Sequence, residues 1–186
     1  MSESTMDVSA PELPVNTGLT PEARKDVAEM LGVVLANDYQ LMIKTQGVHW
    51  NVAGPAFYSV HKLTEEHYNE LFNSIDLVAE RIRALGRKAP ASYAEYGRLS
   101  EIKDYDVPQS AGQMIAMLVA DHETVARSLR DSLEQAEEQR DHVTSDMLID
   151  MLNWHEKAIW MLRALDAGYD GAGSGPTNGS STTRYS

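Results

Sequence analysis

Cysteine is absent from the 186-residue chain, which removes disulfides, thiolate metal sites and cysteine nucleophiles together. No apolar run reaches the roughly 18 residues that a membrane-spanning helix needs. Met1 to Thr20 has neither the basic start nor the apolar stretch of a secretory leader. These features predict a cytoplasmic protein with no membrane association. Basic residues are scarce as well: 16 Lys and Arg stand against 28 Asp and Glu, a formal net charge of −12. The scarcity extends to both ends. Residues 1–20 hold Glu3, Asp7 and Glu12 but no Lys or Arg, and residues 169–186 hold only Arg184 against Asp170. Duplex DNA is bound mainly through Lys and Arg contacts to phosphate, so this composition predicts weak or no DNA binding at neutral pH.

What the chain does contain is helical periodicity. Thr20–Pro21–Glu22 is a helix start, with an N-cap followed by proline at the first helical position. A first helix then runs to about Asn51, with Val27, Met30, Leu31, Val34, Leu35, Leu41 and Met42 on its apolar stripe. From about Ala56 to Leu85 there is no internal Gly or Pro, and Val60, Leu63, Leu71, Ile75, Val78 and Ile82 repeat at helical spacing. Residues 92–106 read as a short helix crossing between halves. A third long helix begins near Ser110, and a fourth at Val143 or Thr144 ends before Gly168. The expectation is an all-α domain over residues 20–168, two helical hairpins joined by a crossover. A flexible arm (1–19) and a Gly/Ser/Thr-rich tail (169–186) flank it. The nine methionines fall mainly on apolar faces and read as core packing.

Two histidines and three carboxylates crowd the first hairpin. His61 and Glu65 are i,i+4 on the second helix, and so are Asp76 and Glu80, so each pair shares a face. The two pairs lie 15 residues apart, about 22 Å along a helix at a rise of about 1.5 Å per residue. Metal bonds to N and O ligands are only about 2.0–2.6 Å long, so one ion cannot be held by both pairs of one helix. Either these are two half-sites, or a second copy running antiparallel sets its Asp76 and Glu80 against this copy's His61 and Glu65. The Gly54–Pro55 turn brings His49 back towards His61 and completes one half. Nitrogen with carboxylate ligation suits iron(II), zinc or manganese better than Mg²⁺ or Ca²⁺.

The run His49-Trp-Asn-Val-x-Gly-x-x-Phe57, with His61, Asp76-x-x-Ala-Glu80-Arg81 and Ala84–Leu85–Gly86, resembles the signature of the Dps family, the miniature ferritins. Asp141-His-Val-Thr-Ser-Asp-Met-Leu-Ile and Glu156-Lys-Ala-Ile-Trp160-Met-Leu resemble its last helix, so the likeness covers about residues 20–168. It implies a ferritin-like four-helix bundle that assembles as a hollow dodecamer, with ferroxidase centres between two-fold-related subunits. His49, His61 and Glu65 fall on the ligands of one subunit, Asp76 and Glu80 on those of the other. Glu65 is a departure, since the family usually has Asp there. The implied activity is that of a ferroxidase and iron store, oxidising Fe²⁺ preferably with hydrogen peroxide, or with dioxygen, in protection against oxidative stress. Trp50, next to His49, falls beside the site.

Other ferritin-like proteins place a di-iron site inside one bundle through Glu-x-x-His. The residues three before the six histidines are Gln46, Tyr58, Thr64, Val119, Gln139 and Leu152, so that intra-bundle site is excluded. His67, His122, His142 and His155 read as surface or packing residues. Asp141, Asp146 and Asp150 form a second acidic set. Near a three-fold axis they would ring a pore and draw cations inward; otherwise they complement the start of the last helix. Two other functions share the fold: a nucleoid-condensing DNA-binding protein, opposed by the acidic ends, and an oligomer that binds zinc without turnover.

Overall fold

The computed structural model describes residues 14–104 and 110–167. It contains five helices among them: α1 (Pro21–Asn51), α2 (Phe57–Ala84), α3 (Tyr93–Leu99), α4 (Ala111–Glu138) and α5 (His142–Asp166). Most of the predicted arm and all of the tail lie outside the described residues. Gly168, the predicted stop of the last helix, lies outside them as well.

Local chemistry sets each boundary. Thr20 accepts the Ala23 amide at 3.1 Å and Pro21 opens α1. Gly54 reverses the chain at φ +89°, a left-handed conformation that glycine adopts without a Cβ penalty, and α2 starts three residues later. At its far end the Arg87 amide reaches back to the Ile82 carbonyl across Gly86 at φ +84°, a glycine-terminated helix end. A reciprocal capping box between Ser110 and Gln113 starts α4. The α4–α5 turn passes through Arg140 in the left-handed region, at φ +57°, and Asp141 caps α5 by accepting the Thr144 amide at 3.1 Å.

The helices form two hairpins, α1 with α2 and α4 with α5, and α1 also packs on α4 and on the crossover helix α3. Leu31, Leu35, Leu41, Leu71, Ile82, Ile115, Leu118, Leu129, Leu148 and Leu162 are fully buried between them. Asn37, buried in α1, anchors the crossover: its carbonyl accepts the Glu101 amide at 2.7 Å and the Ser100 hydroxyl at 3.0 Å. Tyr96 stacks on Tyr39 at 4.3 Å between ring centres. A buried ion pair, Lys44–Asp121 at 2.5 Å, ties α1 to α4. The arrangement brings the start of α2 against the end of α1, which positions the histidines.

Candidate metal centre at the first hairpin

His49 lies in the last turn of α1 and His61 in the second turn of α2. Their backbones and rings lock together. His49 Nδ1 is 2.9 Å from the carbonyl oxygen of His61, and His61 Nδ1 is 2.9 Å from that of His49. A carbonyl can only accept, so both Nδ1 atoms carry the proton and donate it. In the neutral rings both Nε2 atoms therefore hold open lone pairs, the arrangement in which a backbone acceptor orients a metal-binding imidazole. The rings stack at 3.8 Å, Phe57 stacks on His61 at 5.0 Å, and Tyr68 meets His49 edge-on at 5.2 Å. His49 is buried and His61 half-buried, so the pair is fixed on one side and open on the other.

Glu65 follows one turn after His61 and is half-buried. Lys62 donates to its Oε2 at 2.6 Å and holds the carboxyl below the ordinary glutamate range. Asp76 and Glu80 are exposed near the other end of α2, and no residue of the same chain is recorded against them among the described residues. The structure thus brings His49 and His61 into contact, sets Glu65 one turn further along α2 on Lys62, and leaves Asp76 and Glu80 apart. Among the described residues no three His, Asp or Glu side chains converge on one point. Trp50 is 69% exposed and fills no core of its own chain.

Asp141 requires a correction. Its side chain is buried, and Arg81 Nη2 donates to both carboxylate oxygens at 2.6 and 2.7 Å. It joins α5 to α2 and is not available to ring a pore. Asp146 and Asp150 remain exposed on α5.

A polar cluster inside the bundle went unread in the sequence. Asp38 of α1, His67 of α2, His122 of α4 and His155 of α5 are all buried. His122 Nδ1 lies 2.9 Å from His155 Nδ1, His155 Nε2 lies 3.6 Å from Asp38 Oδ1, and the Ser74 hydroxyl donates to Asp38 Oδ2 at 2.7 Å. The signal was available: His67, His122 and His155 each occupy an apolar-stripe position, between Leu63 and Leu71, Leu118 and Val125, and Met151 and Ala158. Burial pushes His67 down to about 4 and His122 well below the ordinary histidine value. Both rings are neutral in the fold at pH 7.

Acid lability follows. A histidine whose folded pKa is depressed contributes stability that is complete above the unfolded value, about 6.5. That stability is lost as pH falls towards the folded value. For His67 the loss between pH 6.5 and about 4 amounts to about 3 kcal/mol, and His122 adds to it. Urea unfolding at pH 7.5, 5.5 and 4.5 is expected to show a midpoint that falls steeply with acid; a flat profile would contradict the buried neutral cluster.

Two helical hairpins with a crossover, and a histidine pair at the first hairpin turn, define a ferritin-like protein. A model of the ferritin-like domain matches residues 28–168. A low temperature-induced protein of Nostoc sp. is 42% identical over 157 residues, covering 83% of this chain and 87% of that protein. DNA protection during starvation protein 2 of Bacillus anthracis is 36% identical over 140 residues, 75% of this chain and 96% of that protein. The Vibrio cholerae O1 Dps structure, described as a member of a broad superfamily of ferritin-like diiron-carboxylate proteins, superposes with a TM-score of 0.77. Its identity is 31%, over 84% of this chain and 98% of that one. The chain belongs to the Dps family of ferritin-like proteins.

Proposed function

We propose that two copies of this chain, related by a two-fold axis, build a ferroxidase centre from His49, His61 and Glu65 of one and Asp76 and Glu80 of the other. Iron handling of the ferritin type is the general function that family membership supports. The observation that carries the specific reading is the reciprocal His49–His61 bonding, which commits both Nδ1 atoms and leaves both Nε2 atoms free to bind metal, while the carboxylate half stands exposed further along α2.

In this reading Fe²⁺ is the substrate. The two imidazoles bind it as neutral donors, and the carboxylates, hard anionic ligands, favour the Fe³⁺ product. Glu65 must exchange its bond to Lys62 for the metal. Hydrogen peroxide is the oxidant that fits best: two Fe²⁺ each give one electron, and one peroxide takes both with two protons to become two waters. Pairing the electrons avoids release of hydroxyl radical. Ferric mineral collects in the cavity of a dodecameric shell, with Asp146 and Asp150 lining its pores. Zinc, which accepts the same ligands, finds no support in the comparisons.

The test is anaerobic loading with Fe²⁺ followed by hydrogen peroxide, read at the near-ultraviolet ferric absorbance. Rapid oxidation with iron kept soluble on the protein supports the reading. Oxidation no faster than in buffer, with precipitation, overturns it.

Although relatives are named for DNA protection, this chain is expected not to condense DNA. A net charge of −12 per chain gives twelve copies about −144, a repulsive field. A gel-shift assay at pH 7.5 and moderate salt is expected to leave plasmid DNA unretarded at micromolar protein; retardation would contradict it.

No helix among the described residues is long and apolar enough to cross a membrane. We place the protein in the cytoplasm; its cysteine-free composition supports this.

A further inference from the structure

We propose that the interior of the bundle holds a second cation site, distinct from the ferroxidase centre, in which one Cu⁺ is bound between His67 Nδ1 and His122 Nε2. Both nitrogens are buried and neither has a hydrogen-bond partner among the described residues. Their residues are 4% and 0% exposed, and the ring centres lie 5.7 Å apart with the planes turned 75° to each other. Such buried polar atoms are rare in folded proteins, and each one unmatched is costly.

The groups behind His122 set its tautomer. Asp38 Oδ2 accepts from the Ser74 hydroxyl, while Oδ1 faces His155 Nε2 at 3.6 Å, longer than a hydrogen bond but close enough to favour the proton of His155 on that nitrogen. His155 Nδ1 then accepts from His122 Nδ1 at 2.9 Å, and His122 Nε2 is left as a bare lone pair. A carboxylate that orients one imidazole through another is the outer-shell arrangement found behind metal-binding histidines.

Charge and coordination select the ion. The donors are two neutral imidazoles, and imidazole suits copper, zinc, iron and nickel. A divalent ion with only neutral donors in a desolvated interior would be costly. A monovalent ion costs less, and the buried Asp38 carboxyl, 3.6 Å from His155 Nε2, lies behind the histidines on the same side of the site. Two nitrogens suffice for Cu⁺, which accepts linear coordination; among the described residues there is no three-ligand cluster.

A cleft of about 130 Å³ between α2 and α5 is lined by the carboxylates Glu70 and Asp150, the thioethers of Met147 and Met151, and Ser74 and Trp154. Thioethers are soft donors that favour Cu⁺. Trp154 lies 5.7 Å from His67 and 5.5 Å from His122 between ring centres, so the cleft abuts the histidines.

The experiment is anaerobic titration of the full-length protein with Cu⁺ against bicinchoninate, a coloured competitor. One Cu⁺ per chain is expected to be retained in the wild type and equally in the double variant His61→Ala/Asp76→Ala. His122→Gln and His67→Leu are each expected to weaken retention at least tenfold. Because either variant could lose its fold, X-ray absorption on loaded wild-type protein supplies an independent reading, with two nitrogen neighbours expected. No retention against the competitor overturns the proposal and leaves the two nitrogens to a buried water. Retention lost with His61 and Asp76, retention of Zn²⁺ in place of Cu⁺, or sulfur neighbours in place of nitrogen overturns it as well.

Discussion

Asp141→Ala is expected to lower the stability of the fold by about 3–5 kcal/mol, the range for removing one partner of a buried ion pair. The carboxylate is 2% exposed. It accepts both bonds from Arg81 Nη2, the Thr144 amide and the Thr144 hydroxyl, the last at 2.7 Å. Without it the Arg81 guanidinium stays beside α5 with no anion, and α5 loses its N-cap. Burial alone would raise the Asp141 carboxyl, but the bonds from Arg81 and Thr144 outweigh it and hold the group below the ordinary aspartate value. That stability is therefore present above about pH 4 and is lost as pH falls through the depressed value. A shift of the urea midpoint at pH 7 is the measurement. Unchanged stability with slowed iron uptake would contradict the buried-cap role and restore the pore.

His61→Ala is expected to slow peroxide-driven Fe²⁺ oxidation about 100-fold or more. Losing an outer-shell partner of a metal ligand already costs about 10–100-fold, and this change removes a proposed ligand. It also removes the donor to the His49 carbonyl and the ring that stacks on His49, so both nitrogens of the half-site are disturbed. His61 is only half-buried, and the unfolding midpoint should move little. Stopped-flow ferric absorbance beside thermal unfolding separates the two effects. Wild-type oxidation in the variant would contradict the site.

The helices were legible in the sequence because their signals are local. Gly54–Pro55 and Gly86 bound α2, Thr20–Pro21 opens α1, and apolar residues repeat every three or four positions. The distance between His61/Glu65 and Asp76/Glu80 was legible as well, since a helix fixes its own ruler. What escaped depends on contacts distant in sequence. Asp141 reads in the sequence as an acidic residue just before the last helix, grouped with Asp146 and Asp150, but Arg81, 60 residues earlier, draws its carboxylate inward. Each buried histidine, read alone in the sequence, is a packing residue. Only the packing of α1, α2, α4 and α5 brings His67, His122 and His155 together with Asp38. Lys44 and Asp121 likewise meet only through the α1–α4 contact.

The central claim is that each ferroxidase centre takes its histidines from one copy and its far carboxylates from another. Co-assembly of His61→Ala subunits with Asp76→Ala subunits tests it most directly. Each variant alone inactivates every centre. In a mixed two-fold pair, one centre carries both lesions and the other carries neither. Random mixing therefore restores about a quarter of the wild-type centres, and peroxide-driven Fe²⁺ oxidation should recover to about that fraction. Mixtures as inactive as the separate variants, with mixed pairs verified by mass, would contradict a shared centre.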